Sequence, residues 1–249
     1  MNEDKNNTEV ISIKGLSKSF NGVSVLSGVN LCLHPAENLA VLGRSGMGKS
    51  VLLKCIVGLV YPDEGSISVF GNEITEAGET KLNEIRQNTG FVFQSAALYD
   101  SMTVKENLLF TIEHNHRTMP DETKEQLIDE TLESVGLANV ANKYPLELSG
   151  GMRKRAGLAR TLVLKPRIIL YDEPTTGLDP FTSREISELI LEVKKKYQAS
   201  AIIVTHDMTC ARIASDRIMI LHNGRFIAED TFNNLKKSKT AEVMEYFVN

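Results

Sequence analysis

The sequence predicts an α/β fold: a mostly parallel sheet covered by helices on both faces, with a helical block inserted as a lobe. Three observations carry that prediction. Short apolar runs alternate with helical periodicity along the 249 residues. One run, Asn38 to Leu42, leads straight into a glycine-rich loop that opens a helix. Residues 95–165 read as mainly helical and interrupt the alternation.

Taken in order, Val10 to Ile13 reads as a strand and Val25 to Leu33 as one or two more. Asn38 to Leu42 is a short buried strand, and residues 49–59 follow as a helix. Ser66 to Phe70 and Gly90 to Phe93 are strands; Thr103 to Glu113 and Glu122 to Val135 are helices. Arg167 to Tyr171 is an apolar strand. Over 181–197, Ile186, Leu189, Ile190 and Val193 share one helical face, and Pro180 suits the first turn. Ala201 to Val204 and Arg217 to Leu221 are strands, and Asn223-Gly224 turns the chain into Arg225 to Ala228. The polar tail from Thr231 holds one more short helix at 240–248.

Composition narrows the function. With 42% hydrophobic residues and 24% charged, the chain can bury a sizeable core. A formal net charge of −4 argues against nucleic acid as a partner, because such partners call for a basic surface. Cys32, Cys55 and Cys210 are scattered among apolar neighbours, which suits reduced core thiols in a cytosolic setting. The start, MNEDKNNTEV, has no apolar signal core, and LLKCIVGLV is far too short to span a bilayer, so the chain is expected to be soluble by itself. His114 and His116 have no acidic or cysteine company and are not read as a metal site.

GRSGMGKS, Gly43 to Ser50, fits G-x-x-x-x-G-K-[ST] and has a strand before it and a helix after it. Its backbone N–H groups, with the helix N-terminus, suit phosphate. Lys49 would reach the β- and γ-phosphates and the Ser50 hydroxyl would bind Mg²⁺. In RIILYDEP, Asp172 and Glu173 end an apolar strand, the place where open α/β sheets bind ligands. Asp172 can hold Mg²⁺ there, and Glu173 can orient and deprotonate an attacking water, a role worth about 10²–10⁴ in rate. A second glycine pair stands at LSGGM, where Ser149 can cap a helix and Gly150 and Gly151 let its amides approach an anion. With only one Lys-Ser loop in the chain, this pair is not a second nucleotide site.

LSGGMRKRAGLARTL resembles the signature segment of the ATP-binding-cassette (ABC) ATPases, and the resemblance covers roughly residues 10–230. It implies the ABC ATPase nucleotide-binding fold, a phosphate-loop core with an antiparallel β subdomain and an inserted helical subdomain at about 95–165. The cassette would occupy 8–235 and a tail 236–249. It further implies a head-to-tail dimer with a second copy, in which Ser149, Gly150 and Gly151 close over the ATP held by the partner's phosphate loop. Gly43, Arg44, Ser45, Gly46, Gly48, Lys49 and Ser50 would hold this chain's own ATP.

By the same resemblance Phe20 matches the aromatic that stacks on adenine, worth about 1–3 kcal/mol by analogy with base stacking. From the residues alone a core phenylalanine is an equal reading. Gln94 matches the glutamine that contacts Mg²⁺ and the attacking water. Asp179, in TTGLDP, matches a residue crossing the dimer interface, and it also reads as a helix N-cap. His206, in IIVTHD, matches the histidine that senses the γ-phosphate. Met152 departs from the glutamine many members carry. The positive run Arg153, Lys154, Arg155 sits in a first helical turn, read either as phosphate or partner contact or as a solvated face.

SGGMRKRAGLAR and FVFQSAALYDSMTVKENLLF are similar to the ATPase subunits of Mla/Mce-type phospholipid transporters of diderm bacteria. That implies an ATP-hydrolysing motor at the cytoplasmic face of the inner membrane, peripheral to integral permease subunits and working with a periplasmic or membrane-anchored lipid-binding subunit. Ala96, Ala97, Leu98 and Tyr99 read either as a docking patch for the membrane subunit or as packing inside the helical lobe. The competing readings are a motor for a small polar-solute importer and a soluble cofactor-assembly ATPase.

Overall fold

The computed structural model describes residues 9–116 and 118–247. Residues 1–8 of the polar start and residue 248, the last of the 240–248 segment, therefore lie outside the described residues. Two sheets organise the chain. The larger has six strands: β3 (Asn38–Leu42), β6 (Thr89–Val92), β7 (Ile168–Asp172), β8 (Ser200–Thr205), β9 (Arg217–His222) and β10 (Arg225–Asp230). Its order is β10-β9-β3-β8-β7-β6, parallel throughout except for the β9–β10 hairpin. The smaller sheet is antiparallel, ordered β2-β1-β4-β5, from β1 (Ile11–Phe20), β2 (Val23–Leu33), β4 (Glu64–Val69) and β5 (Asn72–Glu73).

Both faces of the parallel sheet are covered, as the alternation of its side chains requires. Ile168 and Leu170 of β7 join one apolar cluster with the antiparallel sheet and helix α1 (Lys49–Ile56). Ile169 and Tyr171, one residue out of phase, join another. That second cluster includes residues of α3 (Val104–Asn115), α4 (Asp121–Ser134), α5 (Gly150–Leu162) and α6 (Pro180–Tyr197). The helical block thus packs as one body with α6 and the sheet. A third cluster joins Ala40 and Leu42 of β3 to α7 (Met208–Ala214), α8 (Phe232–Leu235) and α9 (Ala241–Met244).

Several boundaries differ from the sequence reading, each for a local reason. β1 runs on to Phe20 through register shifts after Ile13, with the Gly15 N–H donating to Asn30 Oδ1 at 2.9 Å. α1 stops at Ile56, ahead of Gly58, whose φ is +66°. The periodicity did not reveal α2 (Glu79–Gln87), which buries only Leu82 and Ile85, nor the short α7 and α8. All three cysteines are free, as expected, and burial pushes the thiols of Cys55 and Cys210 up to about 11 and about 12.

Candidate functional site

The side chains expected to form the site gather at the carboxyl ends of adjacent parallel strands. The loop from β3 to α1 carries Gly43 to Gly48; Gln94 follows β6, Asp172 and Glu173 end β7, and His206 follows β8. A cavity of about 450 Å³ opens among Ser45, Gly46, Gly48, Lys49, Ser50, Gln94, Glu173, Thr176 and His206, with Val25 and Val51 at its side. Gly48 has φ +91°, and a Cβ there would stand 2.9 Å from the Val25 carbonyl oxygen. Only glycine fits that turn and that approach.

Lys49 is 4% exposed, and its Nζ donates to the Gly43 carbonyl at 2.7 Å and the Arg44 carbonyl at 3.0 Å. The same ammonium lies 3.0 Å from Glu173 Oε1. The other carboxylate oxygen, Oε2, lies 2.8 Å from His206 Nδ1 and accepts from the Thr176 hydroxyl at 3.2 Å. Glu173 therefore joins the phosphate loop, the strand-end turn and the histidine. Its backbone is left-handed, φ +50°, which costs a non-glycine residue about 1–2 kcal/mol. Its N–H donates to the Val204 carbonyl on the neighbouring strand at 3.0 Å.

Ser50 Oγ donates to Asp172 Oδ1 at 2.7 Å, and Asp172 is buried. A hydroxyl and a carboxylate oxygen, paired beside a phosphate loop, are the hard donors Mg²⁺ takes from protein when phosphate and water complete its shell. The described residues hold no cluster of three or more His, Cys, Asp or Glu ligands, and an ion completed by nucleotide oxygens does not require one.

Other expected residues lie apart from this cavity. Ser149 caps α5, accepting from the Met152 N–H at 3.3 Å, and Gly150 and Gly151 begin that helix. None of the three lines the cavity of its own chain. Asp179 caps α6, accepting from the N–H groups of Phe181 and Thr182 at 3.0 Å, with bonds from Thr182 holding its carboxyl below the usual range. Phe20 is 44% exposed, with the Lys18 ammonium 5.3 Å from its ring centre, which removes the core reading. Gly43 and Arg44 line a second cavity with His206, Phe232 and Tyr246, where the Arg44 guanidinium pairs with Glu245 at 3.1 Å.

The patch after Gln94 splits between its two readings. Ala96 is buried and Leu98 packs against the helical cluster, whereas Tyr99 is exposed and meets Phe110 edge-on at 5.1 Å. These aromatics line a groove of about 260 Å³ with Arg86, His114, Arg160 and Thr161.

Three further residues bear on the site and were not legible as such. Asn107, fully buried, places its amide within bonding distance of the Tyr99, Met102 and Thr103 carbonyls and accepts from the Tyr99 N–H. Thr175 donates to Asp207, the cap of α7. Lys154 lies behind the cavity: its Nζ donates to the Gln94 carbonyl at 2.6 Å and the Glu173 carbonyl at 3.3 Å. Burial pushes its ammonium below the ordinary lysine value, against the pull of Glu173 and Asp172.

Comparison with known proteins gives the class. The family model described as "ABC transporter" matches residues 26–176. The chain belongs to the ABC transporter family of ATP-binding proteins and carries its ATPase cassette fold. It is 42% identical over 211 residues to the probable ribonucleotide transport ATP-binding protein mkl of Mycobacterium leprae, covering 85% of this chain and 60% of that protein. It is 36% identical over 221 residues to the methionine import ATP-binding protein MetN of Brucella abortus, covering 89% and 59%. The chain thus spans about 60% of the length of these curated relatives.

Among solved structures, the dimeric bacterial ABC transporter cassette MJ0796 superposes with a TM-score of 0.81 at 32% identity, over 89% of this chain and 98% of the other. The cbiO1 protein of Clostridium perfringens, part of the cbiONQ transporter complex, gives 0.84 at 27% identity over 93% and 92%. Among the described residues no helix is long and apolar enough to cross a membrane.

Proposed function

We propose that this chain is the ATP-hydrolysing motor of a membrane transporter, with its cassette at 8–235, a helical subdomain at about 95–165 and a tail at 236–249. The observation that carries the reading is the position of Glu173, shared between Lys49 and His206 in the cavity of the phosphate loop. Lys49 and the loop amides hold the ATP phosphates, and Phe20, exposed near the loop end of β1, offers its face to the base. Ser50 and Asp172 hold Mg²⁺, with Gln94 completing the set. Held there, Mg²⁺ would supply neutralisation of the charge developing on the transferred phosphoryl group. Glu173 takes the proton of the attacking water, and His206 responds to the γ-phosphate.

Ser149, Gly150, Gly151 and Asp179 act across the interface with a second copy. Their absence from the chain's own cavity supports that reading, as does the dimeric form of a solved relative. The groove beside Tyr99 and Phe110 receives a segment of an integral permease subunit, which puts the chain peripherally on the cytoplasmic face of the membrane. One structural relative is described as part of an ABC transporter complex, which supports a partner of this kind.

For the cargo we propose phospholipid moving between the membranes of a diderm bacterium, with a lipid-binding subunit, on the strength of the SGGMRKRAGLAR segment. A small polar solute is the second reading, favoured by relatives named for ribonucleotide transport and methionine import. Tagging the chain in its own cell, solubilising membranes gently and identifying what co-purifies separates them. A permease with bound phospholipid and a lipid-binding subunit supports the first. A permease with a polar-solute receptor keeps the motor and replaces the cargo, and soluble partners alone contradict the transporter.

A further inference from the structure

The helix that begins at the second glycine pair also grips the segment that leaves β6. Along one face of α5, at the three- and four-residue spacing of a helix, Lys154 donates to the Gln94 carbonyl, Arg160 to that of Ala97 and Thr161 to that of Phe91. Gly157 completes the face. A Cβ there would stand 2.8 Å from both the Cβ and the carbonyl oxygen of Ala96. The gripped turn is itself strained, since Ala96 and Ala97 have φ of +64° and +49°, a region non-glycine residues seldom occupy. Such a turn persists only where its surroundings over-determine it.

Lys154 differs from the other two donors because it reaches a second element, the Glu173 carbonyl at 3.3 Å. Its ammonium is half-buried, and a cation there needs compensating dipoles. Two carbonyls supply them, one from each wall of the cavity. We propose that Lys154 is a positioning residue for hydrolysis: it holds the Gln94 and Glu173 backbones on one ammonium, so that the placement of the Glu173 carboxylate follows the placement of residues 91–97. Those residues lead directly to Tyr99 and the groove, so a partner that shifts the segment shifts the base. The inference rests on Glu173 as the general base.

The test is ATP turnover by the full chain carrying Lys154→Met, Lys154→Arg or Glu173→Gln, with kcat and KM measured separately and thermal midpoints recorded. Lys154→Met should lower kcat about ten- to a hundredfold, the scale expected of a misplaced catalytic group, with KM for ATP within about twofold. Lys154→Arg, which keeps a cationic donor, should recover most of it. Should Lys154→Met not fold, Lys154→Gln supplies a neutral, shorter donor for the same comparison. An unchanged kcat in Lys154→Met beside an inactive Glu173→Gln overturns the positioning role and leaves the base in place. A kcat loss that arginine does not recover, or one matched by a rise in KM, marks a packing role and overturns it too. Wild-type turnover by Glu173→Gln removes the base assignment beneath it.

Discussion

Lys49 Nζ stands 3.0 Å from Glu173 Oε1, and both side chains are largely buried. The cation read as a phosphate ligand and the carboxylate read as a base are thus one ion pair, shared between the loop after β3 and the turn after β7. Charge balance in the cavity depends on both. Lys49→Met should weaken binding of a slowly hydrolysed ATP analogue about ten- to a hundredfold, the range for one charge-assisted hydrogen bond of about 1.5–3 kcal/mol. Titration calorimetry measures this, and an unchanged affinity would take Lys49 out of the phosphate site.

The two sheets are tied by Arg217, which grips Glu37 with Nε and Nη2 at 2.7 and 3.0 Å, donates to the Cys32 carbonyl and pairs with Glu229. Burial works to raise the Glu37 carboxyl, but the hydrogen bonds from Arg217 and the His34 N–H outweigh it and hold it below its ordinary value. A carboxyl depressed in the folded state contributes stability above its unfolded pKa. That contribution is lost as pH falls through the folded one. Arg217→Met should cost about 2 kcal/mol at neutral pH, below the roughly 3–5 kcal/mol of a fully buried pair because this one keeps some solvent contact. It should also flatten the acid limb of the stability curve below about pH 4.5. Thermal melts across that range measure both.

Asn107 holds the turn before α3, and its buried amide has no solvent alternative. Asn107→Leu should destabilise the chain by about 1–3 kcal/mol, because it strands the Tyr99 N–H and neighbouring carbonyls. Hydrogen exchange should quicken at Tyr99 to Thr103 while KM for ATP stays the same. Recovery of the permease subunit with the tagged variant should fall.

How much of this was legible in the sequence follows from how local each cause is. Asn38 to Leu42 and the loop after it could be read because five buried residues and the phosphate-loop glycines are contiguous. Asp179 reads as a cap because the N–H groups that donate to its carboxylate lie two and three residues on. α7 had the same signal, Asp207 accepting from the Thr209 and Cys210 N–H groups, but seven residues leave too few turns for periodicity to register. α2 carries only two buried apolar residues, so its pattern looked like a loop. Phe20 sits exposed at the hairpin end of β1, beyond the Val10 to Ile13 stretch that reads as a strand, so no spacing rule reached it. Lys154 lay beyond sequence reasoning because its acceptors are 60 and 19 residues away. From the sequence, its place in a first helical turn reads only as phosphate or partner contact or as a solvated face, and neither is the contact made.

The proposed function makes Glu173 the base of a site completed by a second copy of the chain. Its most direct test is the oligomeric state of Glu173→Gln by size exclusion with light scattering, in ATP–Mg²⁺ and in ADP–Mg²⁺, beside its turnover. The variant should be a dimer in ATP and a monomer in ADP, with a rate reduced by about 10²–10⁴, the usual contribution of a general base. A variant that stays monomeric in ATP and hydrolyses it at the wild-type rate would contradict both the base and the shared site.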